Sequence, residues 1–236
     1  LTKMKEEQVN EHSSRFTIAP LYPGYGMTIG NSMRRVILSS LAGAAVTAVR
    51  IEGVDHEFTT IDGVREDVIG LILSIKQLKV SYTGTEPATM TLTKSGKGVV
   101  TAADIKTTGD MEVVNKDLVL ATIDNAKTKL EIEFKVEQGR GYSPIESRQN
   151  ENLPVGWIAV DAIYTPIKRV RFNIENTRVG QMTNLDSLIM EVETDGSMTP
   201  ELAMRQAGEI LVGHFQVIAG MDVVSVGSEG IMTAEA

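Results

Sequence analysis

Between residues 79 and 136 the hydrophobic side chains fall on alternate positions in short runs, at 79–82, 89–94, 111–114, 118–123 and, most strictly, LEIEFKV at 130–136. A period of two places every apolar side chain of a run on one face of an extended strand. Gly84 and the SGKG of 95–98 interrupt the runs as hairpin turns do. Strands of this kind pair antiparallel, with one face packed and one wet. On either side of this block helical rhythms also occur.

Three stretches have helical spacing. In 30–41, GNSMRRVILSSL, residues Met33, Val36, Ile37 and Leu41 share one face, while Arg34, Arg35 and Leu38 share the opposite one. A surface helix needs a single apolar stripe, so a leucine framed by two arginines on the far side is surplus to folding. Arginine stems covering an isolated exposed leucine would produce the same pattern. The stretch 62–78 opens on Asp62 as N-cap and aligns Val64, Val68, Leu71, Ile72 and Ile75, with Ile69, Leu73 and Lys76 turned outward. The third begins at Thr199-Pro200-Glu201, a cap, a first-turn proline and an acid. It runs to about Ala219 with a broad apolar arc of Ala203, Met204, Ala207, Ile210, Leu211, Phe215 and Ile218. An arc that wide serves either a deep core or a core and a second copy together.

Further strands are predicted at 15–19 (stopped by Pro20), 45–51, 157–164, 167–174 and 187–192, with Gly43 closing the first helix. Residues 143–154 form a polar loop, and the GSEGIMTAEA that follows Val226 has linker composition.

Composition excludes several classes of function. Cysteine is absent, which removes disulfides, thiolate metal sites and cysteine nucleophiles. A net charge of −8 is the wrong sign for a general phosphate-backbone binder. No run approaches the roughly 18 apolar residues of a membrane span, and the first residues are polar, so a cytoplasmic location is expected. His12, His56 and His214 lie far apart without metal-ligand spacing. His214 is expected on the apolar arc as a satisfied core or interface residue. The Gly24-Tyr-Gly26-Met-Thr-Ile-Gly30 stretch has only a loose likeness to a dinucleotide loop, and no series of βαβ units follows it. The neighbouring acids Glu66-Asp67 and the pair Glu131 and Glu133 fall on ordinary solvated faces, and no aspartate cluster fit for magnesium is visible.

Taken together, PLYPGYGMTIGNSMRRVILSSLAGAAVTAVRIEGVDHEF, GVREDVIGLILSIKQL, SGKGVVTAADI, QGRGY and VDAIYTPIKRVRFNIENTRVGQMTNLDSLIMEVETDGSMTP resemble, in order and spacing, the N-terminal portion of the bacterial RNA polymerase α subunit. The likeness spans about residues 16–220. Here GNSMRR replaces the more usual GNALRR, and Met27 stands where histidine is common; the arginine pair and Leu38 are kept.

The resemblance implies an α+β chain with a discontinuous dimerisation domain, helix on sheet, from residues 1–42 and 167–236, and a mostly β domain inserted at 43–166. It implies a non-catalytic subunit that pairs with a second α copy, identical or paralogous, and then recruits the β and β′ subunits for DNA-templated RNA synthesis. The pairing would use Met33, Val36, Ile37, Ile210, Leu211, His214, Phe215 and Ile218. Arg34, Arg35 and Leu38 would dock the β subunit, and Lys76, Val160 and Asp161 the β′ subunit. No catalytic, cofactor or metal residue is implied in this chain, and magnesium is expected only between β and β′. Neither nucleic acid nor membrane is expected to touch this portion; the family's DNA- and activator-binding domain follows a linker that begins where the chain ends. Two readings of other classes stand beside this one: a small NADP-dependent enzyme built on the 24–30 loop, and a free-standing scaffold or regulator.

Overall fold

A computed structural model describes residues 2–148 and 153–221. In chain order, β1 (Lys3–Asn10) and β2 (Ser13–Leu21) precede α1 (Tyr25–Ser39), β3 (Ala42–Ile51) and α2 (Val68–Ile75). The short strands β4 (Val80–Tyr82), β5 (Ala88–Ser95), β6 (Gly98–Thr101), β7 (Ile105–Lys106), β8 (Met111–Val113) and β9 (Val119–Ile123) lead to the long β10 (Lys129–Arg140). Then come β11 (Tyr142–Ser143), β12 (Trp157–Ala159), β13 (Ala162–Ile163), β14 (Ile167–Val179), β15 (Met182–Thr194) and α3 (Pro200–Ile218). The chain divides into two compact units, residues 1–41 with 166–236, and residues 42–165. The fold class is α+β.

The first unit is an antiparallel sheet in the order β1-β2-β15-β14 with α1 and α3 on one face, in contact with each other. Along β15, Asp186, Leu188, Met190 and Val192 share the inward register. Leu188, Met190 and Val192 meet Phe16, Ile37, Ala203 and Ala207 in one buried cluster. Sheet and helices thus bury the apolar stripes they cannot leave in water. Strand β1 is exposed along its whole length and lacks apolar alternation; ladder bonds to β2 hold it. Its lysines and glutamates make it a charged edge that discourages further pairing.

Several sequence expectations are corrected here. Strand β2 does not stop at Pro20, because the ladder between β2 and β15 is irregular there, pairing Leu21 with Asp186 and then Ile18 with Leu188. A residue without an N–H fits that break. Strands β14 and β15 pair as far as Val179 and Met182, so both outrun the predicted 167–174 and 187–192. Their outer halves are polar, and main-chain hydrogen bonding rather than burial keeps them extended. Helix α1 starts at Tyr25 instead of residue 30 and ends at Ser39, with the Ser40 amide donating to the Val36 carbonyl at 2.9 Å. Leu41 is buried but lies beyond the helix, and Gly43 belongs to β3 instead of closing α1.

The second unit is a sheet in the order β7-β5-β10-β3-β4-β8, with β12 also paired to β3, plus the pairs β6–β9 and β11–β13. Leu130, Ile132, Phe134 and Val136 of β10 all point into its core, as their alternation requires. Phe134 lies opposite Val49 on one side and Met90 on the other. Helix α2 is shorter than the predicted 62–78. Residues 64–66 are engaged with β9: the Arg65 amide donates to the Thr122 carbonyl at 2.9 Å, and the Glu66 carboxylate accepts from the Thr122 amide at 2.7 Å. Asp67, not Asp62, caps the helix by accepting from the Gly70 amide at 2.8 Å. The predicted strand 157–164 is split into β12 and β13 around Asp161. Part of the predicted 143–154 loop (149–152) and the expected linker after Val226 lie outside the described residues.

The glycines of α1 set how closely it approaches its sheet. A Cβ on Gly30 would stand 2.7 Å from Phe172 Cδ2 and 3.0 Å from Leu188 Cδ1. Gly30→Val should therefore destabilise the first unit by about 2 kcal/mol, the ordinary cost of overpacking. The check is a lower urea midpoint with an unchanged slope.

Candidate functional site

Helix α1 presents one face to its own core and the other to solvent. Met33 and Ile37 are buried between the helix and the sheet. At roughly 100° per residue, Arg34, Arg35 and Leu38 are carried to the far side; both arginines are exposed and Leu38 is 39% exposed. Among the described residues neither guanidinium has a carboxylate partner, so both forks keep their donors for another molecule.

The start of α1 is tied down by Asp186, whose Oδ2 accepts from the amides of Gly24 at 2.9 Å and Gly26 at 3.0 Å. A carboxylate there answers the helix dipole and the orphan first-turn donors at once. This corrects the nucleotide-loop reading of Gly24–Gly30. The stretch is helical from Tyr25, and Gly26 and Gly30 are buried against β14 and β15 side chains. Asp186 was missed in the sequence, although a signal exists: it shares the inward register of Leu188 and Met190, and an acid in that register needs a polar partner.

Helix α3 divides along its length. Ala203, Met204 and Ala207 are buried, and Ile210 and Leu211 half-buried. Beyond them Val212, Phe215, Val217, Ile218 and Met221 are exposed, Phe215 at 57% and Ile218 at 79%. The apolar arc read in the sequence is thus core in its first half and open surface in its second. Val212 and Val217 belong to the open part and were not on the predicted arc. His214 is exposed rather than satisfied in the core, with Nδ1 at 2.8 Å from the Ile210 carbonyl oxygen. Met33 and Ile37 are not surface residues, which corrects their assignment to an interface; Val36 remains half-exposed.

In the second unit, Lys76 caps the C-terminus of α2 and its Nζ donates to Asp161 Oδ2 at 2.8 Å. Asp161 Oδ1 accepts from the Ile145 amide at 2.9 Å. The pair is mostly shielded, with side-chain exposures of 27% and 21%. The hydrogen bond from Lys76, helped by the Ile145 amide, holds the Asp161 carboxyl below its ordinary range. The same hydrogen bond holds the Lys76 ammonium above its own. Val160 does not join them at the surface: its side chain is wholly buried in the core of the unit, which corrects its assignment as a docking side chain. Exposed apolar residues lie on these elements too, with Ile69 and Leu73 on α2 and Phe58 in the preceding loop, the last missed in the sequence for want of any periodicity around it.

Among the described residues no three His, Asp or Glu side chains are grouped so as to hold a metal ion. Nor is any helix among them long and apolar enough to cross a membrane. What these surfaces share is exposed apolar side chains beside charged ones, on helices packed against a sheet.

Residues 49–165 match the family described as the RNA polymerase Rpb3/RpoA insert domain. The chain is 45% identical over 221 residues to the DNA-directed RNA polymerase subunit alpha of Oceanobacillus iheyensis, covering 93% of this chain and 70% of the relative. It is 49% identical over 212 residues to that of Clostridium perfringens, covering 90% and 67%. To that of Saccharopolyspora erythraea it is 50% identical over 234 residues, covering 99% and 65%.

Because the folded state depresses the Asp161 carboxyl below its ordinary 3.8, the stability it contributes is complete above that value and is lost as pH falls from there through the lower folded value. Lys76, raised above 10.5, loses its share only as pH rises beyond that. Asp161→Asn should therefore be less stable than the parent at about pH 7, with the gap closing below about pH 4. Urea midpoints at the two pH values measure this.

Proposed function

Since this chain belongs to the DNA-directed RNA polymerase α-subunit family, we propose that it serves transcription as an assembly platform, dimerising first and then receiving the two large subunits on separate faces. The C-terminal half of α3 forms the seam of the dimer. Val212, Phe215 and Ile218 are large apolar side chains left open on the helix, with Ile210, Leu211 and His214 beside them along it and Val36 of α1 assigned to the same seam. A two-fold pairing that buries such a patch on both copies is self-complementary. An obligate seam of this kind covers on the order of 2,000 Å² or more. Pairing with a paralogue instead of an identical copy would use the same surface.

Arg34, Arg35 and Leu38 receive the β subunit. The observation that carries this is a half-open leucine between two exposed arginines on the side of α1 its own core does not use. Leucine supplies an anchor that must be desolvated, and the planar forks supply directional donors to carboxylates or main-chain oxygens. The face around Lys76 and Asp161 on the second unit receives the β′ subunit. Because the dimer is two-fold and its large partners differ, each copy uses one of these faces productively. The residues of 1–41 and 166–221 make the dimerisation domain and those of 42–165 the inserted domain. Nucleotidyl transfer belongs to the whole polymerase. Within it this chain contributes no reacting group, and magnesium is held by the large subunits.

Leu38→Ala and Arg35→Ala should each weaken capture of the β subunit by about 1–4 kcal/mol, the range for a truncated anchor, while sedimentation still reports a folded dimer. Unchanged co-purification of β with both variants would remove that face from the assembly. Phe215→Asp should give folded monomers, since a carboxylate would otherwise be carried into an apolar seam. Persistence of the dimer at micromolar concentration would place the seam elsewhere.

A further inference from the structure

The Lys76–Asp161 pair does more than display two charges. Asp161, between β12 and β13, uses both carboxylate oxygens inside its own unit, Oδ2 accepting from Lys76 at 2.8 Å and Oδ1 from the Ile145 amide at 2.9 Å. Ile145 opens a single helical turn, Ile145–Arg148. The far end of that turn is held as well: the Arg148 guanidinium donates to the Thr47 carbonyl at 3.2 Å and to the Val160 carbonyl. Lys76 itself continues the outward row of α2 that holds Ile69 and Leu73, at the spacing i, i+4, i+7 that keeps one helix face. The ion pair therefore joins that row to the segment that carries the exposed Tyr142 and Ile145, with Tyr142 paired across the β11–β13 ribbon to Ile163.

We propose that Lys76 and Asp161 form an internal clamp that assembles the β′-receiving face from α2 and the 142–148 segment, so that both act on β′ docking as positioning residues and neither is a contact. This rests on the reading of that face given above. Surface ion pairs on one element usually contribute little. This one is shielded and bridges two elements, so breaking it leaves a half-buried charge without its partner and frees the turn. An internal pair has a signature that two separate contacts lack: exchanging the charges restores the ion pair, though not the bond Asp161 accepts from the Ile145 amide.

The test uses Lys76→Asp, Asp161→Lys and the double exchange, each in the whole α dimer carrying its β subunit. Capture of β′ is measured, and amide hydrogen exchange is followed over 142–148, with β3 and β10 as the internal control for folding. Each single variant should lose about tenfold in β′ capture, and protection over 142–148; the double regains the ion pair but not the bond from the Ile145 amide, which a lysine at 161 cannot accept, so it should recover to within about threefold to fivefold. Singles that lose β′ while protection over 142–148 is intact, with no recovery in the double, would make the residues direct contacts and overturn the clamp while leaving the β′ face in place. Loss of protection with β′ capture unchanged would overturn the β′ reading of this face and the proposal with it. Loss of protection in β3 and β10 as well would overturn a local clamp in favour of a general stabilising role.

Discussion

The close approach of α1 to β14 and β15 is the constraint on which the first unit depends. Gly26 and Gly30 leave no room for a side chain on that line, so the helix lies almost against Phe172, Ile174, Leu188 and Asp186. Once that contact is made, Met33 and Ile37 are committed to the core and the helical repeat leaves Arg34, Arg35 and Leu38 no place but outside. The exposed Arg34, Arg35 and Leu38 face is thus produced by packing on the opposite side. Asp186 holds the helix end in place through two backbone amides. The glycine-rich entry resembled a phosphate loop because the physics is shared, a helix start with unsatisfied donors attracting an anion. Here the anion is a carboxylate from the same unit.

That device recurs in the second unit. Asp161 takes an amide and an ammonium, Glu66 takes the Thr122 amide and Asp67 caps α2. In the β6 turn, burial alone would push the Asp104 carboxyl up, but hydrogen bonds from Lys94 and the Thr101 amide outweigh it and hold the carboxyl below its ordinary range. Glu66 and Asp67, read in sequence as lying on an ordinary solvated face, are in fact acceptors that join helix and strand. Such joints suit the assembly role proposed above, because flexible anchors would lose conformational entropy on each docking event.

How legible this was depended on whether a side chain's role was local. The alternation of 130–136 gave the facing of β10 directly, since a strand has only two sides. Thr199, Pro200 and Glu201 marked the start of α3, and Thr199 does cap it, accepting from the Leu202 amide at 3.3 Å. Strand β1 was not legible, because KMKEEQVN carries no pattern and is held by its neighbour's main chain. The early start of α1 depended on Asp186, more than 150 residues away along the chain. Helical spacing rightly grouped Met33 with Ile37, but spacing alone says only that a face is apolar, and whether a core or a second chain covers it is not a local property. Val160 shows the same limit, its alternation being consistent with either side until the sheet had formed.

The sequence by itself determined the α3 cap, the inward face of β10 and the two-sided character of α1. Each of these follows from the rotation per residue of a helix or strand and from the chemistry of a few terminal residues. Only the tertiary structure decided which half of the α3 arc stays open, which acids become joints, and that Lys76 and Asp161 meet. Those outcomes depend on side chains brought together by loops and sheet pairing over long stretches of chain. A hydrogen bond or a covered face exists only once both of its sides have arrived.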